Sequence, residues 1–67
     1  MDWSLPDVPK GYKAIHGFLA NRGMEAGIIV RHRDTGLWVW IDDTVPRDKA
    51  IQVLVAAVKI YRGRHVP

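Results

Sequence analysis

The sequence predicts a small α+β domain in the order helix, strand, strand, helix, with a β-hairpin packed on a long C-terminal helix. Three observations carry this. Two runs of branched and aromatic residues flank a turn-forming Arg33-Asp34-Thr35-Gly36. A long apolar-periodic stretch follows, from Val45 to Arg62. The chain has 67 residues, enough for one domain and no more.

The first nine residues read as an extended arm. Pro6 and Pro9 remove backbone donors and restrict the residues before them. Trp3, Leu5 and Val8 are costly to leave in water, so the arm is expected to pack back onto the body or to exchange between two chains. Residues 10–63 form the domain proper, and residues 64–67 a short basic tail.

Lys10 to Arg22 reads as a helix. Tyr12, Ile15 and Leu19 recur at helical spacing with Phe18 close to the same face, and Gly23 follows as a left-handed stop. Gly11 and Gly17 each weaken such a helix by about 1 kcal/mol relative to Ala, so it must depend on packing, and Gly17 marks a close helix contact. Met24 to Ala26 connects it to the first strand.

Gly27 to Arg33 and Leu37 to Ile41 read as the hairpin strands. A three-residue loop would mix the two faces. A two- or four-residue loop puts Ile28, Val30, His32, Leu37, Val39 and Ile41 on one face and Ile29, Arg31, Arg33, Trp38 and Trp40 on the other. The second arrangement separates aliphatic from Arg/Trp. It is the expected one, because a one-residue slip turns the core face of a half-buried hairpin to water. Gly36 suits the left-handed last position of a four-residue loop. His32 is expected at the boundary of the aliphatic face, with its ring partly exposed.

Val45 to Arg62 is the strongest helix. Asp43 or Thr44 can cap it, Pro46 is tolerated in its first turn, and Gly63 stops it. Asp48 and Arg62 complement the helix dipole at its two ends. Ile51, Leu54, Val55, Val58 and Tyr61 line one face, and Val53, Ala57 and Ile60 another. The polar stripe of Lys49, Gln52 and Lys59 is narrow. A helix this apolar is buried on more than one side. Two strands rarely make a stable sheet alone, so a third is expected from the N-terminal arm or from a dimer partner.

Composition narrows the function. The charged fraction is 25% and the hydrophobic fraction 48%, as in folded soluble domains. No apolar run reaches the roughly 18 residues of a membrane span, and no secretory signal is visible, so a cytoplasmic protein without membrane contact is expected. The absence of cysteine excludes disulfides, thiolate catalysis and cysteine-bound zinc, and fits a reducing compartment. Without staples, a core of this size supplies about 3–5 kcal/mol, which points to a homodimer. The net charge of +3 favours acidic partners mildly.

No cofactor, metal or catalytic constellation is expected. His16, His32 and His65 show no metal-ligand spacing. Asp42 and Asp43 diverge if they are adjacent strand residues. Ser4 has no base placed near it. The feature that carries chemistry is the Arg/Trp face. Indoles stack on bases, and guanidinium groups bind phosphates and carboxylates. Arg31, Arg33, Trp38 and Trp40 are therefore the expected partner-binding residues, unless they only pack on each other or the first helix covers them. Arg62 and Arg64 are possible nucleic-acid contacts.

The segment Ile28 to Gly63, in the order strand, strand, helix and ending Ile60-Tyr61-Arg62-Gly63, resembles the AP2-like DNA-binding domains of plants and phages. Those domains place a helix behind a small sheet whose Arg and Trp residues read DNA. The third strand of that family is not visible in the sequence. The expected function is a small non-enzymatic binding or adaptor protein acting through protein–protein contacts as a homodimer. The alternative is a nucleic-acid-binding module using the Arg/Trp face and the basic tail.

Overall fold

Segments of alternating side chains pair into a sheet, and one amphipathic segment covers it. The computed structural model describes residues 4–19, 25–42 and 44–64. Strands β1 (Tyr12–Leu19), β2 (Glu25–His32) and β3 (Trp38–Ile41) form an antiparallel sheet in the order β1-β2-β3, and helix α1 (Arg47–Arg64) packs on one side of it. The α+β class and the hairpin on a long C-terminal helix are as the sequence predicts.

The segment read as the first helix is instead strand β1. Its residues also carry a period of two: Tyr12, Ala14, His16 and Phe18 on one face, Lys13, Ile15 and Gly17 on the other. What decides between the periods is the free edge of β2. Its whole length finds a partner in β1, from Tyr12 opposite His32 to Leu19 opposite Glu25. The two glycines that would weaken a helix serve this pairing. Gly11 takes a positive φ of 92° in the turn before β1, where the Tyr12 amide donates to the Pro9 carbonyl at 3.1 Å. Gly17 faces Gly27, and a Cβ there would lie 2.7 Å from Ile29 Cδ1. The close contact at Gly17 is thus with a neighbouring strand. The third strand comes from neither the arm nor a second chain. The predicted stop at Gly23 lies outside the described residues.

The hairpin has the predicted register, with Ile28 opposite Ile41 and Val30 opposite Val39. The His32 amide donates to the Leu37 carbonyl at 2.8 Å, and the Gly36 amide to the His32 carbonyl at 2.9 Å. Gly36 closes this loop with φ at 76°.

Ile28, Val30 and Ile41 meet Ala50, Leu54 and Val58 of α1 in the core, with Val8, Tyr12, Ala14, Leu37, Val39, Val45 and Ile51 around them. Each fully buried aliphatic side chain contributes about 1.5–3 kcal/mol. The described part of the arm, residues 4–9, folds back on its own chain. Val8 reaches the core, and Arg47 Nη1 donates to the Ser4 carbonyl at 2.6 Å. Trp3 lies outside the described residues.

Helix α1 starts later than predicted, at Arg47. Thr44 turns to Asp42: its amide and its hydroxyl both donate to Asp42 Oδ1, at 2.9 and 2.6 Å. The Pro46 carbonyl accepts the first helical bond, from the Ala50 amide at 3.1 Å. The other predicted cap, Asp43, lies outside the described residues. Gly63 does not stop the helix, which runs on to Arg64. Glycine permits a left-handed stop without requiring one, and Gly63 does not take a positive φ. Among the described residues, no helix is long and apolar enough to cross a membrane.

A candidate binding face on the open side of the sheet

Alternation along the strands sends every second side chain away from α1, and the register aligns these side chains in rows. Lys13, Arg31 and Trp38 stand opposite one another across the three strands, and Ile15, Ile29 and Trp40 form the next row. Arg33 continues the line of Arg31 past the end of β2. It is tied there by its amide, which donates to the Gly11 carbonyl at 2.9 Å. Neighbouring strands lie about 4.8 Å apart, so a row brings its side chains within mutual reach.

The sequence-predicted set Arg31, Arg33, Trp38 and Trp40 is therefore gathered on one face. Its two indoles differ. Trp38 is 54% exposed, whereas Trp40 is half-buried. The reason lies in β2: a Cβ at Gly27 would collide with the Trp40 indole, which lies across this bare backbone. Trp40 is thus part of the floor and Trp38 is its accessible aromatic group. The first helix that could have hidden both is strand β1, in the plane of the sheet, and α1 lies on the other side.

Lys13 and Ile15 belong to this face and escaped the sequence reading, because they sit on the segment read as a helix. The signal that could have found them is the alternation Lys13, Ile15, Gly17. Lys13, Arg31 and Arg33 are all exposed, and among the described residues none of them makes an ion pair. Two depressions share Ile29 and Arg31. One, of about 330 Å³, is bordered by Lys13, Ile15, Ile29, Arg31 and Arg33. The other, of about 450 Å³, is bordered by Ile29, Arg31, Gly36 and Trp38.

Arg62 and Arg64 do not join this face. They lie in the last turn of α1, behind the sheet. Arg62 Nη2 sits 3.2 Å from Asp34 Oδ2 in an exposed pair and 3.5 Å from His32 Nε2. His32 itself corrects the sequence reading: it is buried, at 3% exposure. Burial is tolerated because its polar atoms are occupied. The Thr35 amide donates to Nδ1 at 3.3 Å, the Thr35 hydroxyl lies 2.9 Å from the same nitrogen, and the Tyr12 ring packs at 4.7 Å. The Leu37 amide donates to Thr35 Oγ1 at 3.2 Å, so the imidazole and Thr35 together hold the hairpin turn.

Among the described residues, no three His, Cys, Asp or Glu side chains converge as metal ligands would. Comparison with protein-family models, with curated proteins and with solved structures gives no match for this chain.

Proposed function

We propose that this protein is a small non-enzymatic nucleic-acid-binding module that works through the open face of its sheet. The observation that carries the reading is the row of Lys13, Arg31 and the exposed Trp38, extended by Arg33, with no ion pair among the described residues to neutralise its cations. Unpaired cations at fixed spacing suit phosphates, and an exposed indole suits bases. A helix behind a three-stranded sheet is also the layout of the AP2-like domains that residues 28–63 resemble, with β1 standing where the sequence reveals no strand. Arg62 and Arg64 have no part in this face. The absence of cysteine fits a cytoplasmic setting.

Fluorescence anisotropy of labelled oligonucleotides, single-stranded and duplex, across a salt series tests this. Three phosphate-contacting cations should give a slope of log K against log salt of about −2 to −3. Arg31→Glu should abolish binding while the circular dichroism spectrum is unchanged. Absence of binding to either kind of oligonucleotide at low salt would overturn the proposal.

A second reading, an adaptor acting through protein–protein contacts as a homodimer, is supported by a different surface. Val53 is 64% and Ile60 58% exposed on α1, on the apolar face that the core leaves uncovered. Light scattering over a concentration series should then show a dimer that Ile60→Asp dissociates. A monomer at high micromolar concentration would exclude it.

A further inference from the structure

The two depressions on the open face differ in chemistry, and their difference bears on the form of nucleic acid that fits. The larger one is lined by Ile29, Arg31, Gly36 and Trp38, and within it Arg31 and Trp38 stand directly opposite each other on β2 and β3. A Cβ at Gly36 would lie 3.6 Å from Arg31 Nη2, so the guanidinium reaches to the rim, beside a residue with no side chain of its own. An indole and a guanidinium side by side, next to an apolar residue, form a platform for a flat ring, since bases stack on both kinds of group. The smaller depression has Lys13, Arg31 and Arg33 around Ile15 and Ile29. Three cations about one hollow form a site for an anion. Arg31 belongs to both.

From this juxtaposition we infer that the open face takes an unpaired nucleotide of a single-stranded nucleic acid. Its base stacks on the platform that Trp38 and Arg31 form, and its backbone phosphate lies among Lys13, Arg31 and Arg33. The inference rests on the nucleic-acid reading above and deepens it. A duplex presents only base edges in its grooves, and the faces of its bases are covered by their neighbours. A single strand offers faces and phosphates together, which is what adjoining aromatic and tri-cationic hollows require. Charge complementarity between these three cations, none of which makes an ion pair among the described residues, and a polyanion selects the occupant.

The test compares a 15-nucleotide oligo-dT with a mixed-sequence duplex of the same length, at one salt concentration, for the wild type, Trp38→Ala and Trp38→Phe. The wild type should bind the single strand more tightly than the duplex. Trp38→Ala should weaken single-strand binding about tenfold and leave duplex binding unchanged, because one stacked base is lost. Trp38→Phe, which keeps an aromatic face, should retain most of the affinity, and unchanged duplex binding by Trp38→Ala shows that its loss is not a loss of fold. Tighter binding of the duplex overturns the inference, as does an equal loss on both ligands or none. In those cases the broader nucleic-acid reading stands. Failure of both oligonucleotides to bind the wild type removes both.

Discussion

The two faces of one sheet are made by the same three strands and have opposite chemistry. On the helix side, Ile28, Val30 and Ile41 are all but inaccessible, and the buried polar side chain His32 is held by Thr35 and Tyr12. On the open side, the residues between them in sequence are Ile29, Arg31, Trp38 and Trp40, and none is fully buried. Burial sets the closed face and tolerates few exceptions. The open face has no such constraint, so its cations and its exposed indole are not explained by folding. An exposed aromatic group beside apolar neighbours is an association-prone surface unless something uses it.

The contrast can be broken most severely from the closed side. Leu54→Ala empties the centre of the α1 contact and should cost about 2–5 kcal/mol, a large part of the stability of so small a domain, read as a lowered urea midpoint. A loss below about 1 kcal/mol would mean that α1 is loosely seated. Gly27→Ala probes the boundary between the faces. The added methyl meets the Trp40 indole and lies 2.8 Å from the Ile41 carbonyl, so neither can be avoided cheaply. An expected cost of about 1–3 kcal/mol should come with a shift in tryptophan emission. Unchanged stability would show that Trp40 does not rest on the strand.

The smallest stability effect is the sharpest discriminator. Val39 and Arg33 follow opposite sides of the hairpin. Val39→Ala should cost about 1 kcal/mol, since its side chain is partly buried against the core, whereas Arg33→Ala should stay within about 0.5 kcal/mol. The order reverses for binding. Arg33→Ala should lower the salt slope by about 0.7–0.9, the share of one phosphate contact, and Val39→Ala should leave it unchanged. Equal stability losses would argue that the faces are not separated as described.

The hairpin was legible because its two periods agree. Alternation allows a two- or four-residue loop, the position of Gly36 favours the four-residue one, and a one-residue slip would expose Val30 and Ile41. The long helix was legible for the same reason, apart from its ends. Its start depends on Asp42 and Thr44 bonding to each other, and its end on a glycine that has no local reason to turn. The segment Tyr12–Leu19 was not legible. Tyr12, Ile15 and Leu19, with Phe18 close by, satisfy a helical period, Tyr12, Ala14, His16 and Phe18 a strand period, and a short segment fits either.

The sequence by itself therefore determined the α+β class, the register of the hairpin, the sorting of Arg31, Arg33, Trp38 and Trp40 onto one side, and the apolar excess of the last helix. These follow from local alternation and turn geometry, which need no distant partner. Only the tertiary structure decided that Tyr12–Leu19 is a strand, that Lys13 and Ile15 complete the open face, that Trp40 settles onto Gly27 while Trp38 stays exposed, and that His32 is buried. Each of these depends on the free edge of β2 or on a contact between residues far apart in the chain. The energy of such contacts exists only once both sides are in place.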